Sequence, residues 1–288
     1  MILFLSDGGL GNQLFQYAFL NSISKKDEKI IVFGFDDLKE VFEISNIVNL
    51  EKKNRWIRFF FNRIMKPILT FLSDKKIISS ISINHKKVLD KYRKETTTYK
   101  KEIGFFSSFV FVKLGFFQSE EFFKKDIVNK LKIKNLYKDK ANDFLKIIPK
   151  NTHKIFIHIR RGDYKSYFVY GKSTLLPINY YKEQIDWFLE NRKNCFFIFL
   201  SDEPKFVEKE FEYIENKLIS TNNHYGTDLA IMTLCNSAIL SPSSFGWWGS
   251  YLMKERDIVF APKYWLGFNS RIDKSSCPSF STEVIIND

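Results

Sequence analysis

Short apolar runs alternate with helically spaced apolar positions along much of the chain. Ile2–Leu5 is apolar and stops at a glycine-rich break, Gly8-Gly9-Leu10-Gly11-Asn12. Leu14, Tyr17, Ala18 and Asn21 then follow at helical spacing, with Phe15 and Phe19 widening the apolar arc. Residues 29–35 read as a second strand. After residue 150 the alternation is regular, with strands at 155–159, 195–200, 238–241 and 258–261. Helices are expected at 180–191, from 204, around 228–236 and at 247–254. Strands of about five residues separated by helical stretches predict a parallel sheet covered by helices. Residues 40–145 are rich in Lys and Phe, and their periodicity is mainly helical. A boundary near Pro149-Lys150 gives two domains, 1–149 and 150–288.

Composition places the chain among globular proteins. Of 288 residues 44% are hydrophobic and 27% charged, ample for a buried core or two domains. Lys and Arg number 45 against 33 Asp and Glu, a net charge of +12. That balance points to a phosphate-rich partner: a nucleotide, a nucleic acid or a lipid head group. Cys195, Cys235 and Cys277 are too far apart for a metal-ligand pair or a disulfide framework, which fits a reducing compartment. The first residues lack the basic start and longer apolar stretch of a signal peptide, and no apolar run approaches the roughly 20 residues of a spanning helix. A cytoplasmic location is therefore expected.

Three segments carry candidate chemistry. Gly8-Gly9-Leu10-Gly11-Asn12-Gln13 sits between a strand and a helix, where glycines admit a ligand to the backbone and free N–H groups face an anion. It is not the dinucleotide fingerprint, whose third glycine would fall at Leu14, nor a P-loop. A tight turn is the competing reading; Asn12 and Gln13 favour ligand contact. His158-Ile159-Arg160-Arg161-Gly162-Asp163-Tyr164 ends a strand, and ligands of open α/β sheets bind beyond the carboxyl ends of strands. Alternation points Arg160 and Arg161 apart, so one meets pyrophosphate with its forked donors while the other pairs with Asp163. A surface ion pair is the plainer alternative, as is a satisfied buried histidine at His158.

The third segment begins at Asp228, where it or Thr227 caps a helix. It continues in Ser241-Pro242-Ser243-Ser244-Phe245-Gly246-Trp247-Trp248-Gly249, a hydroxyl-rich strand-to-helix turn suited to an anion. A serine nucleophile is disfavoured because no Gly-x-Ser-x-Gly elbow surrounds either serine. The four histidines show no ligand spacing. Asp202-Glu203 is a cation candidate that a cap before Pro204 explains as well.

In order and spacing these segments resemble the bacterial α-1,2-fucosyltransferases of glycosyltransferase family 11. Residues 8–19 are similar to that family's N-terminal signature, residues 158–164 to its His-x-Arg-Arg-Gly-Asp-Tyr motif, and Asp228 with residues 243–249 to its third block. Pro242 stands where Asn is commoner, and Phe280 where Trp is expected. The resemblance implies an α/β fold of GT-B type, two Rossmann-like domains facing a cleft. It puts the acceptor side in the N-terminal domain and the GDP-sugar site in the C-terminal one. It implies GDP-β-L-fucose as donor, inversion to an α-linkage, no metal or other cofactor, and a β-galactoside acceptor on a surface glycan such as an O-antigen, lipid-linked in some members.

Residue roles follow from the same resemblance. Arg160 stabilises charge developing on the β-phosphate, Asp228 accepts from guanine N–H groups, and His158 lies near the nucleoside. Gly9, Gly11, Asp202, Ser243, Ser244 and Phe245 complete the donor contacts, and Asn12 approaches the β-phosphate or the acceptor. The general base stays open between Asp163, weakened by its expected pairing with Arg161, and Asp202. Another regiospecificity or another GDP-sugar remains an alternative, because guanine and pyrophosphate contacts do not read the sugar. A non-catalytic nucleic-acid or anionic-surface binder is the remoter alternative; the lysines are spread and no nucleic-acid motif occurs.

Residues 52–72 form one further pattern. On a helical projection Lys52, Arg55, Arg58, Arg63 and Lys66 share one arc, and Trp56, Ile57, Phe60, Phe61, Ile64, Met65, Ile68, Leu69 and Leu72 fill the other, with Lys53 and Phe59 as the exceptions. This suits peripheral contact with an anionic membrane, on the inner face of an inner membrane, with packing into the N-terminal domain as the alternative. Pro67 is expected to interrupt the helix.

Overall fold

The computed structural model describes every residue except 52–54, 89–93, 273–283 and 288, so Lys52, Cys277 and Phe280 lie outside the described residues. Two compact units divide the chain, the first running to Lys132 and the second starting at Ile133.

In the first unit β1 (Ile2–Leu5), β2 (Ile30–Phe33), β3 (Ile47–Leu50), β4 (Ile78–Val88), β5 (Lys94–Glu102) and β6 (Phe106–Val112) form one sheet, ordered β3-β2-β1-β6-β4-β5. β1 is parallel to both β2 and β6, and all four of its side chains are buried. The helix α1 (Leu10–Ile23) buries Leu14, Phe15, Tyr17, Ala18, Phe19 and Leu20, apolar nearly all round because it lies inside the unit. A short helix, α2 (Asp36–Val41), follows β2.

The mainly helical expectation for residues 40–145 holds at 55–74 and 135–145 and is corrected where that stretch supplies β3 to β6. β5 reads Lys-Glu-Thr-Thr-Thr-Tyr-Lys-Lys-Glu and runs at the sheet's edge. Edge strands accept lysines, and β-branched Thr suits a strand, so its signal is not an apolar run.

α3 (Arg55–Phe60) continues through a π-turn at Phe61–Met65 into α4 (Lys66–Asp74). Pro67 sits in the first turn of α4, where its missing N–H is tolerated, so the interruption takes the form of a π-turn. One side of this composite helix is internal. Phe61, Met65, Leu69 and Leu72 pack on Leu3, Leu5, Phe33, Ile78 and Phe111 of the sheet, and Phe61 stacks on Phe33 with ring centroids 4.2 Å apart.

The second unit starts with α5 (Asn135–Leu145), whose Tyr137 stacks on His224 at 5.0 Å. This packing explains why the units divide at 132/133, whereas the sequence pattern put the change near 149/150, where the regular strands begin. Then come β7 (His153–Ile159), a small hairpin of β8 (Phe168–Val169) and β9 (Lys172–Ser173), and α6 (Ile178–Asn191). β10 (Cys195–Ser201), α7 (Pro204–Glu210), β11 (Lys217–Ile219), α8 (Tyr225–Thr233), β12 (Ser237–Leu240), α9 (Ser244–Tyr251), β13 (Val259–Pro262) and β14 (Val284–Asn287) follow.

Six of these strands form a parallel sheet ordered β11-β10-β7-β12-β13-β14. Counted within the unit this is 3-2-1-4-5-6, the doubly wound Rossmann order, which reverses between β7 and β12. Ile155, Ile157, Phe197, Phe199, Ile239 and Phe260 fill one face against Ile185 and Phe188 of α6. Cys195 and Cys235 are buried free thiols.

Candidate active site

The loops after β7 and β12 leave adjacent parallel strands in opposite directions, which opens a crevice at their carboxyl ends. Arg160 and Ser241 are the first residues of those loops. The Arg160 N–H donates to Ser241 Oγ at 2.8 Å, Ser241 Oγ donates to the His158 carbonyl at 2.8 Å, and Tyr181 Oη lies 2.7 Å from the same hydroxyl. Tyr164 Oη donates to the Pro242 carbonyl at 2.8 Å. The crevice walls are therefore cross-tied before any ligand arrives.

Arg160 is a half-exposed cation held by two carboxylates. Its Nε and Nη2 reach Asp163 Oδ1 at 2.9 Å, and its Nη1 is 3.2 Å from Asp202 Oδ2. The expected Asp163–Arg161 pair is corrected. Arg161 turns the other way, donates to Glu203 at 2.9 Å and lies 3.5 Å over the Phe206 ring. A 3-10 turn at Asp163–Lys165 brings Asp163 back to the residue three before it. Asp202 accepts the N–H groups of Arg161 and Gly162, both at 3.0 Å, so it shapes the loop as well as pairing with Arg160. Lys165 and Arg161 hold Glu203 below the usual carboxylate range, so both members of the Asp202-Glu203 cation candidate are already engaged. Among the described residues no three His, Cys, Asp or Glu side chains cluster as metal ligands would.

α9 begins against this crevice. Ser243 caps it, its Oγ accepting from Phe245 N–H at 3.3 Å, with Ser244 as the first helical residue. Phe245 faces His158 with ring centroids 5.8 Å apart. His158 is buried, and its Nδ1 has no hydrogen-bond partner among the described residues, so it is not the satisfied core histidine offered as the plain alternative. Burial and the Arg160 charge push its pKa down to about 3, keeping the ring neutral. A Cβ at Gly246 would meet that Nδ1 at 2.7 Å, so glycine is required there for close approach.

On α8 the capping expectation is corrected. His224 is the N-cap, with Nδ1 accepting from Gly226 N–H at 3.0 Å, because Tyr137 and Tyr225 hold its ring in place. Asp228 therefore is not the cap. It is largely buried in the first turn, accepts from Ser220 Oγ at 2.6 Å, and burial raises its pKa to about 6. A buried carboxylate with one neutral donor is poorly compensated and ready for further N–H donors.

In the first unit the Gly8-Gly9 turn lies at the carboxyl end of β1. Gly8 has φ +83°, and a Cβ there would sit 2.3 Å from Asn12 Nδ2. Gly9 is the N-cap of α1, with no side chain to cap it, and the turn is exposed, whereas Gly11 is buried. Gln118 donates to Asn12 Oδ1 at 2.6 Å. Gln13, grouped with Asn12 as a ligand contact, is instead structural. It donates to the Gly8 carbonyl and Asp37 and accepts from Leu38 N–H at 2.9 Å. Gln16 likewise bridges the Asp7 and Gly115 carbonyls after β1 and β6. Beyond these strand ends lies a cavity of about 270 Å³ lined by Leu5, Ser6, Asp7, Asn62, Lys66, Phe111 and Leu114. Asn62 and Lys66 come from the π-turn and the start of α4, a contribution that helical periodicity could not reveal.

Residues 1–275 match the profile of Glycosyl transferase family 11. The chain belongs to that family. Its curated relatives include the O-antigen biosynthesis glycosyltransferase WbnK of Escherichia coli, 26% identical with 92% of this chain and 94% of that one covered. An Escherichia coli alpha-1,2-colitosyltransferase is 27% identical with 94% of each covered. In fold the family 11 chain is similar to the fucosyltransferase NodZ from Bradyrhizobium, at TM-score 0.54 and 10% identity over 88% of this chain and 92% of that one. POFUT1 in complex with GDP gives TM-score 0.54 and 12% identity over 88% and 96%. Two parallel-sheet units and these neighbours make the architecture GT-B.

Proposed function

We propose that this chain transfers L-fucose from GDP-β-L-fucose to the 2-hydroxyl of a terminal β-galactoside, with inversion, in building a surface glycan of O-antigen type. The observation that carries this is the placing of Arg160 and the Ser243-capped start of α9 on the two strands flanking the sheet's reversal point. That is where a doubly wound sheet receives a nucleotide, and a forked cation beside a helix N-terminus suits pyrophosphate. Relatives named as alpha-1,2-colitosyltransferase and, at 21% identity, as galactoside 2-alpha-L-fucosyltransferase SEC1 of Bos taurus support the linkage.

In this reading the acceptor oxygen attacks the anomeric carbon as the bond to GDP breaks, and the bonding pair leaves on the β-phosphate. Arg160 exchanges its two carboxylates for that phosphate and stabilises the growing charge. Asp228 receives the guanine N–H groups, with His158, Ser244 and Phe245 along the donor. Asp163, released as Arg160 turns to phosphate, takes the acceptor proton, while Asp202 fixes the loop. Gly9 and Gly11 stay with the donor, and Asn12, with Asp7, Asn62 and Lys66, serves the acceptor. No step calls on a metal. The setting is the cytoplasm, with a lipid-linked acceptor at the inner membrane face.

Linkage analysis by NMR of products from GDP-fucose and a panel of β-galactosides tests the proposal. A product fucosylated at a position other than the galactose 2-hydroxyl overturns the regiospecificity, and no product with any β-galactoside overturns the acceptor class. A second reading, a colitosyl donor, is favoured by the 27% identical relative; competition between the two GDP-sugars for one acceptor decides it.

A further inference from the structure

The composite helix from Arg55 to Asp74 has an outer side that is as apolar as its inner one. Trp56, Phe60, Ile64 and Ile68 recur every four residues, Phe71 follows three later, and all five are exposed, Trp56 at 81% and Phe71 at 58%. Phe59 adds to the same region, 55% exposed. The inner side is already satisfied, with Leu69 buried at 4% and Phe61, Met65 and Leu72 on the sheet. At the far end of α4 stands a second apolar projection. Phe105, 84% exposed, and Phe106 are tied by backbone N–H groups to the carbonyls of Lys76 and Ile77 at 2.9 Å. A contiguous apolar surface of this kind marks an interaction site.

Charge selects the occupant. Residues 52–73 contain no Asp or Glu but six basic residues, Lys52, Lys53, Arg55, Arg58, Arg63 and Lys66. Arg63 and Lys66 are exposed, and Asp74, where the helix ends, is paired with Lys113. A second copy of the chain docked through the same side would bring like charges together. A neutral partner would leave the cations uncompensated. An anionic bilayer accepts both features, aromatic and aliphatic groups entering the acyl boundary while the basic groups stay at phosphate level. We propose that the outer side of α3, the π-turn and α4, with the Phe105-Phe106 tip, seats this protein on an anionic phospholipid surface. The seat is independent of which sugar the enzyme transfers.

The full chain is tested by sedimentation with vesicles of phosphatidylcholine alone and of phosphatidylcholine with phosphatidylglycerol. Binding is expected only to the mixed vesicles at low salt, falling at least tenfold when Trp56, Phe60 and Ile64 are replaced together by Ser, or Arg55, Arg58 and Arg63 by Glu. Phosphatidylcholine brominated along its acyl chains, in mixed vesicles, is expected to quench a fluorescence component that Trp56→Phe removes; this conservative change keeps the test decisive should the triple variants fold poorly. Transfer to a soluble acceptor is expected to be unchanged in all three variants. No binding to anionic vesicles, binding indifferent to these substitutions, or a stable dimer abolished by the Ser variant each overturns the proposal.

Discussion

The Ser241 hydroxyl accepts the backbone N–H of Arg160 at 2.8 Å and thereby joins the end of β12 to the end of β7. Its own hydrogen goes to the His158 carbonyl, so Tyr181 Oη, 2.7 Å away, is the donor in the third contact. One hydroxyl has one hydrogen and two lone pairs, and all are used. The residue that presents Arg160 is thus fixed from the neighbouring strand.

Ser241→Ala is expected to leave the Arg160 N–H and the Tyr181 hydroxyl unsatisfied inside the sheet. At about 1–3 kcal/mol for each group, urea unfolding should report a loss of roughly 2–6 kcal/mol. Tyr181→Phe removes one donor and no acceptor, so it should cost about 1 kcal/mol or less. Equal losses in the two variants would contradict this hydrogen assignment.

Arg160→Ala is expected to lower kcat by about 100-fold or more, as for loss of one strong electrostatic donor, with little change in melting temperature. Arg160→Lys should rescue poorly, because a point charge replaces a fork. Arg161→Ala should do the reverse, lowering melting temperature through its lost Glu203 and Phe206 contacts while kcat holds. Steady-state kinetics beside thermal melts separates the two arginines.

Asp228 carries a pH dependence whose sign follows from burial. Its folded pKa, about 6, stands above the ordinary 3.8. The neutral acid is therefore the form that folding favours. Its stabilisation is complete below pH 3.8 and lost as pH rises through about 6. Asp228→Asn should consequently stabilise the free protein at pH 7.5 by roughly 1–3 kcal/mol, while GDP binding falls at least tenfold. If guanine donates to Asp228 as proposed, it needs the carboxylate, so wild-type GDP affinity should also fall below pH 6 by up to about tenfold per unit. Asp228→Asn should lack that extra slope, while phosphate titration affects both proteins alike. Calorimetry between pH 5 and 7.5 measures both slopes, and parallel ones would remove Asp228 from the guanine site.

The second unit was legible in sequence because its central strands β7, β10 and β12 are largely buried on both faces. Residues 155–159, 195–200 and 238–240 give unbroken or nearly unbroken apolar runs at regular intervals, and the reversal between β7 and β12 puts the candidate site at the ends of those runs. The partners of the charged groups were not legible. Strand alternation separates Arg160 from Arg161, but the 3-10 turn that returns Asp163 to Arg160 is a property of the loop. His224 replaced Asp228 as cap because two tyrosines, one of them on a helix far earlier in the chain, hold its ring. β5 was missed for the opposite reason: an edge strand of Lys, Glu and Thr carries no apolar periodicity.

The cavity beyond β1 and β6 carries the last prediction. A π-turn places Asn62 and Lys66 over the strand ends beside Asp7, giving an amide, an ammonium and a carboxylate around an apolar floor of Leu5, Phe111 and Leu114. Such a set suits a hydroxylated sugar ring, whose edges seek polar groups and whose faces rest on apolar ones. If the acceptor binds here, Asn62→Ala and Lys66→Ala should each raise the acceptor KM about 5- to 20-fold, the equivalent of losing a hydrogen bond worth about 1–2 kcal/mol. The KM for the GDP-sugar and the melting temperature should stay within twofold and about 2 °C of wild type, since neither side chain is buried. A soluble acceptor is required in the assay, so that any loss of membrane docking near Lys66 cannot mimic the effect. A rise in donor KM with the acceptor KM unchanged would instead assign the cavity to the nucleotide sugar.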